Sequence, residues 1–162
     1  MFHNKETNVS IIEPSEANAT FDRLMNGAYI NTSVHNFQSA VIQIINSENN
    51  ELKGMHAVSP AKPSRTVNIS TPHGDVVLSS EHVLMAGDLV ARLTFSSVRH
   101  ELDESVTVTQ LLQVIIREST VVRVGDIAHI RKFGPNAVND RIVEEIIVLM
   151  LSKLQGTLPE VK

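Results

Sequence analysis

The spacing of apolar and polar residues changes period twice along this chain, and the changes divide it into an arm, a helical segment, a β unit and a closing helix. Residues 1–14 are mostly polar, broken by Val9, Ile11 and Ile12 and stopped by Pro14. They read as an arm that forms a short strand only against something else. Ser15 is then a candidate N-cap, and Ala17, Phe21, Leu24 and Met25 fall at i, i+4, i+7 and i+8, the spacing of one helix face. Asn26-Gly27 supplies a stop signal, so the pattern predicts a short amphipathic helix that ends there.

Residues 15–58 as a whole are expected to be helical or mixed. Val34, Phe37, Val41, Ile44 and Ile45 make a second helical stripe with Ser33 as its cap. Residues 40–45 are also a compact β-rich run, which Ser47-Glu48-Asn49-Asn50 would turn back onto 52–58 as a hairpin. Helix is the preferred of these two readings. Pro60 and Pro63 make residues 59–64 a loop.

From Arg65 to Phe133 the period is that of strands. Residues 66–70 and 75–79 flank Thr71-Pro72-His73-Gly74 and predict a hairpin. Residues 83–86 run into a turn at Gly87, and 89–98 follow as a long strand. Leu93 and Phe95 share one face of it, with Arg92, Thr94 and Ser96 on the other. Glu101-Leu102-Asp103-Glu104 is an acidic turn, read as a solvated loop. Residues 105–119 alternate most cleanly: Val106, Val108, Leu112, Val114 and Ile116 fall on one face with Gln110. Three Gly-Asp pairs (Gly74-Asp75, Gly87-Asp88, Gly125-Asp126) each precede aliphatic residues. Glycine supplies a positive-φ corner and aspartate bonds its own backbone, so each pair marks a tight turn into a new strand. Residues 84–91 echo 122–129 around two of these pairs, which two independent strand–corner–strand units explain without duplication.

After Phe133-Gly134-Pro135, with Asn136 as N-cap, the period returns to that of a helix over 136–156. Val138, Ile142, Ile146, Leu149 and Met150 mark its ridge, flanked by Val143, Ile147, Leu151 and Leu154. Its middle carries polar side chains only at Glu144 and Glu145, the pattern of a helix covered on more than one side. On a single sheet, each aliphatic side chain left wet would forgo about 1.5–3 kcal/mol of burial. The pattern therefore predicts a second protomer over that side. The fold class expected is α+β in one domain: an N-terminal helical segment, a central antiparallel sheet or small β-barrel, and a C-terminal helix packed on it.

Composition removes whole classes of chemistry. There is no cysteine, which excludes disulfides, thiolate zinc sites and all-thiolate iron–sulfur clusters. Five Phe, one Tyr and no Trp leave Val, Ile and Leu to build the core. No apolar run reaches the roughly 20 residues of a membrane helix, and the first residues lack a signal-peptide pattern, so a cytoplasmic or virion location and no membrane partner are expected. The Asn-x-Ser/Thr triplets at Asn8, Asn18, Asn31 and Asn68 then reflect an Asn- and Ser-rich composition. A net charge of −4 is spread mildly, with no segment basic enough to hold a polyanion by charge alone.

No phosphate-binding loop, dinucleotide fingerprint, nucleophile elbow or His-Glu-x-x-His occurs, and no cofactor is implied. Seven histidines remain. His73, Asp75 and His82 cluster around the first hairpin, where two imidazoles and a carboxylate suit zinc or iron, though their spacing follows no known ligand pattern. Arg92, Arg117, Arg123, Arg131 and Lys132 lie on or beside strands and would form a nucleic-acid face on a small barrel. Such faces usually add stacking aromatics, and only Phe95 and Phe133 are near. The leading expectation is non-catalytic: a self-associating structural or adaptor protein, of the kind that forms part of a phage or viral particle, forming a homo-oligomer. Its contact elements would be the arm (Val9, Ile11, Ile12) and the last helix (Ile142, Ile146, Ile147, Leu149, Met150, Leu151). A metal-dependent enzyme or binder at His73, Asp75 and His82 and a nucleic-acid-binding barrel are the alternatives.

Overall fold

A computed structural model describes residues 10–47, 54–59, 65–133 and 141–162. The expectations for Val9, for the turn at 48–50, for the loop prolines at 60 and 63, and for Asn136 and Val138 lie outside the described residues.

One helix, α1 (Pro14–Asn46), replaces the two short ones expected. Pro14 begins it instead of blocking it, because the first helical turn has no use for the missing N–H; Glu13 takes the cap position that Ser15 was expected to fill. Asn26-Gly27 does not stop it. Gly27 lies inside the helix, where an added Cβ would come within 3.1 Å of His82 Cε1. The glycine is there for close approach, and an isolated sequence cannot tell that from a cap. The helical reading of 33–46 holds: Val34, Phe37, Val41 and Ile45 are buried in one stripe.

Seven strands follow: β1 (His56–Val58), β2 (Thr66–Thr71), β3 (Gly74–Met85), β4 (Asp88–His100), β5 (Val106–Arg117), β6 (Thr120–Val124) and β7 (Ile127–Lys132). All neighbours are antiparallel and the spatial order is the chain order, β1 through β7. The sheet curls into a half-barrel, so the fold is α+β with a sheet that does not close. Gly74, Gly87 and Gly125 all have positive φ, as their turns require. Val67, Ile69, Val76, Leu78, Leu93, Phe95, Leu112, Val114 and Val121 bury the inner face. α1 and the C-terminal helix α2 (Arg141–Gln155) pack into it. Phe37 of α1 meets Phe133, just after β7, edge to face at 5.4 Å.

Strand β5 departs from its expected single face. Phe95 stands opposite Leu112, but Ser96 stands opposite Gln110, so Leu111 is an extra residue in a bulge. A shift of one residue exchanges faces. Val106, Val108 and Gln110 therefore lie on the opposite face from Leu112, Val114 and Ile116, and Leu111 is buried beside Leu112.

The free edge of β1 is partly sealed from within. Asn46, the last residue of α1, donates from Nδ2 to the Ala57 carbonyl and accepts from the Ala57 N–H, both at 2.9 Å. One carboxamide thus imitates a neighbouring strand and blunts an edge that would otherwise pair with another chain.

Candidate functional site

Three places hold unspent chemistry. The first is the outer side of the N-terminal half of α1. Gly27, Ile30 and Val34 turn toward the sheet and are buried. At about 100° per residue, Phe21, Leu24, Met25, Ala28 and Tyr29 fall in one arc of roughly 140° on the far side. Phe21 is 61 % exposed, Leu24 73 %, Met25 59 % and Tyr29 66 %. No charged residue lies in that arc between Pro14 and Thr32. The half-helix is nonetheless fastened to the β3–β4 hairpin: Arg23 Nη2 donates to the Gly87 carbonyl of its turn at 3.3 Å, and Nε2 of His82 on β3 lies 2.8 Å from Asn31 Oδ1. The spacing predicts Phe21, Leu24 and Met25 on one face of an amphipathic helix; in the structure they share a face, and that face is exposed. Tyr29 went unnoticed because the helix was ended before it, although Phe21, Met25 and Tyr29 repeat every four residues.

Beside this face runs a groove of about 280 Å³, lined by Asn26, Tyr29, Ile30, Asp88, Leu89, Arg117 and Glu118. Its one cation is already engaged, with Arg117 Nη2 3.7 Å from Asp88 Oδ2. Among the described residues the groove offers neither a nucleophile beside a base nor a free cation for an anion.

The second place is the outer face of the sheet. Arg92 and Arg123 flank Ile115 across three strands, and Arg117 and Lys132 lie two strands apart on the same face, with Thr120 between them. Arg131 stands apart from them: it is level with Val121 on the inner side and binds Glu145 of α2 at 3.0 Å. Four of the five cations proposed for nucleic acid therefore share a face. Arg92 is paired with Glu81 and Arg117 with Asp88. Arg123 and Lys132 carry no ion pair among the described residues. Phe95 and Phe133, the aromatics near these strands, are buried.

The third is the β4–β5 turn. Asp103 accepts from the Ser105 hydroxyl at 2.5 Å and from its N–H at 3.1 Å. These bonds, the hydroxyl first, hold the Asp103 carboxyl below the ordinary carboxylate value.

The metal candidates are not gathered. His73 sits in the β2–β3 turn with Nε2 3.3 Å from Gln155 Nε2, and Asp75 is the second residue of β3. His82 lies seven residues further along β3, a distance of about 23 Å at strand rise, and is engaged by Asn31. Among the described residues, no three His, Asp or Glu side chains converge on a point where a metal would sit.

The contact residues expected on α2 lie mostly inside the chain. Ile142, Ile146, Ile147 and Met150 are buried between the sheet and α1, Leu151 is half-buried, and Leu149 sits at the rim. Much of the apolar surface for which a second protomer was expected is covered within the chain, where α2 packs on α1 and β5, while Val148 and Leu149 stay exposed. Of the arm, Ile11 is exposed and Ile12 half-buried. No helix among the described residues is long and apolar enough to cross a membrane. No protein-family model, curated protein or solved structure matches this chain.

Proposed function

We propose that this chain is a non-catalytic, self-associating structural or adaptor protein whose contact surface is the outer face of α1. The observation that supports it is the row Phe21, Leu24, Met25 and Tyr29, exposed on a regular, anchored helix. These side chains present on the order of 500 Å² of apolar surface. That is at the upper end of the patches monomers tolerate. Paired with itself, the row buries about 1,000 Å² in total, the lower limit of a stable interface. A straight, uncharged stripe is its own complement: two α1 helices lie antiparallel with no like charges brought together, and one patch serves both copies around a two-fold axis.

Sedimentation velocity at micromolar concentration tests this. At high salt, which screens contacts between charges and leaves apolar ones in place, the expected result is a dimer, converted to monomer by Leu24→Arg or Tyr29→Asp with unchanged circular dichroism. A wild-type chain that stays monomeric, or a Leu24→Arg variant that dimerises as before, rules the α1 contact out.

A further inference from the structure

The two ends of the β4–β5 hairpin carry opposite chemistry. At one end the hairpin outruns the sheet: β3 pairs with β4 only as far as Asp75 opposite Val98, while β4 and β5 continue to His100 opposite Val106. Residues 99–110 of this two-stranded ribbon are exposed throughout. Its turn is nonetheless fixed. Glu101 N–H donates to the Ser105 carbonyl at 2.9 Å, Glu104 N–H donates to the Glu101 carbonyl at 3.1 Å, and the Thr107 hydroxyl donates to Glu101 Oε1 at 3.1 Å. On top of that turn Leu102 is wholly solvated, at 106 % of its reference exposure. A leucine held in the open on an ordered turn adds nothing to its own core. Docked in a partner, it would lose little further chain entropy, which is what makes an anchor efficient. Glu101, Asp103 and Glu104 surround it, and Arg99 lies 3.9 Å from Glu101. Three acids less one base leave the turn with about two negative charges.

At the other end, on the outer face, Arg92 and Arg123 flank a buried Ile115, and Arg123 and Lys132 are exposed. With Glu81 pairing Arg92 and Asp88 pairing Arg117, Arg123 and Lys132 leave this face with two positive charges among the described residues. Arg92 and Glu101 are nine residues apart on one extended run, about 30 Å at strand rise, so turn and face cannot meet within one molecule.

We infer that the Leu102 turn of one copy docks on the arginine face of a second copy, across Arg123 and Lys132. This rests on the reading that the protein self-associates and adds a contact independent of α1. The contact is head to tail: each molecule keeps one free turn and one free face, so copies add on until a ring closes or a filament grows. Opposite charges steer the encounter and Leu102 packs on the aliphatic stems of Arg123 and Lys132, so association weakens as salt rises.

The experiment is light scattering with sedimentation on the full chain, from low micromolar concentration upward and at low and high salt. Species larger than a dimer are expected at low salt. Leu102→Ser, Glu104→Arg and Arg123→Glu should each weaken growth by on the order of tenfold. The charge-swapped double variant Glu104→Arg/Arg123→Glu should restore it. All these sites are exposed, so unchanged circular dichroism is expected of each. Growth that stops at a dimer in the wild type, single variants that assemble normally, or a double variant that fails to recover would each overturn the contact. Leu24→Arg separates the two readings: it removes the α1 pair and leaves head-to-tail growth, so either contact fails or stands without the other.

Discussion

The two halves of α1 share one backbone and meet different surroundings. In the C-terminal half Ile30, Val34, Phe37, Val41 and Ile45 are buried. In the N-terminal half only Ala17 and Gly27 are buried, while larger side chains at 21, 24, 25 and 29 face out. Composition separates the halves in part, since Glu16, Asp22 and Arg23 all lie in the N-terminal one. Length adds to this: 33 residues make a helix of about 50 Å. Seven strands span only about 34 Å even before curling. The helix is longer than the hollow it fills, and the overhang leaves its row of large side chains available to a partner.

The largest test of this contrast is a pair of truncations. Phe37→Ala should cost about 3–5 kcal/mol in denaturant unfolding, since it removes a fully buried ring and its edge contact with Phe133. Leu24→Ala, on the overhang, should change stability by no more than about 0.5 kcal/mol in the monomer. Equal losses would break the comparison. Next comes the joint between the halves. Gly27→Val should destabilise by about 1–3 kcal/mol because the side chain has His82 in its way. In a His82→Ala background, Gly27→Ala should instead stabilise by about 1 kcal/mol, as alanine does in any free helix position. The same cost with and without His82 would mean that the ring is not what the glycine accommodates.

A smaller effect is expected inside the buried half. Gln38 is buried, and its Nε2 finds no hydrogen-bond partner among the described residues. Gln38→Met keeps the volume and removes the unpaired donor, so the unfolding midpoint should rise, by about 1 kcal/mol in stability. A fall would show that the amide is satisfied. The smallest shift belongs to the overhang: Asn18→Ala should gain about 0.5 kcal/mol through helix propensity alone, provided that this stretch is helical and solvated. No gain by thermal unfolding would place the start of α1 later than Pro14.

Most of the strand map was legible. Alternation at Leu93 and Phe95 against Arg92 and Thr94, the hairpin around His73, and the Gly-Asp corners all appear where the pattern put them, because period-2 burial and positive φ are local properties. The bulge at Leu111 was hidden: an extra residue leaves the apolar count unchanged and shows itself only in the partner strand. Gly27 gave the same signal as a helix cap although its role is close contact with His82. The stripe Phe21, Leu24 and Met25 was legible as one helix face, but a sequence does not say whether a sheet reaches far enough to cover it; the acidic turn around Leu102 is exposed, as a solvated loop is.

By itself, then, the sequence determined which residues share a face, where the chain turns and that helix and sheet occur in the order found. Tertiary structure alone decided which face is covered. α1 shelters α2 and the curled sheet shelters half of α1, because burial depends on how much surface the neighbouring elements offer, and that area is set by strand count, curvature and helix length together.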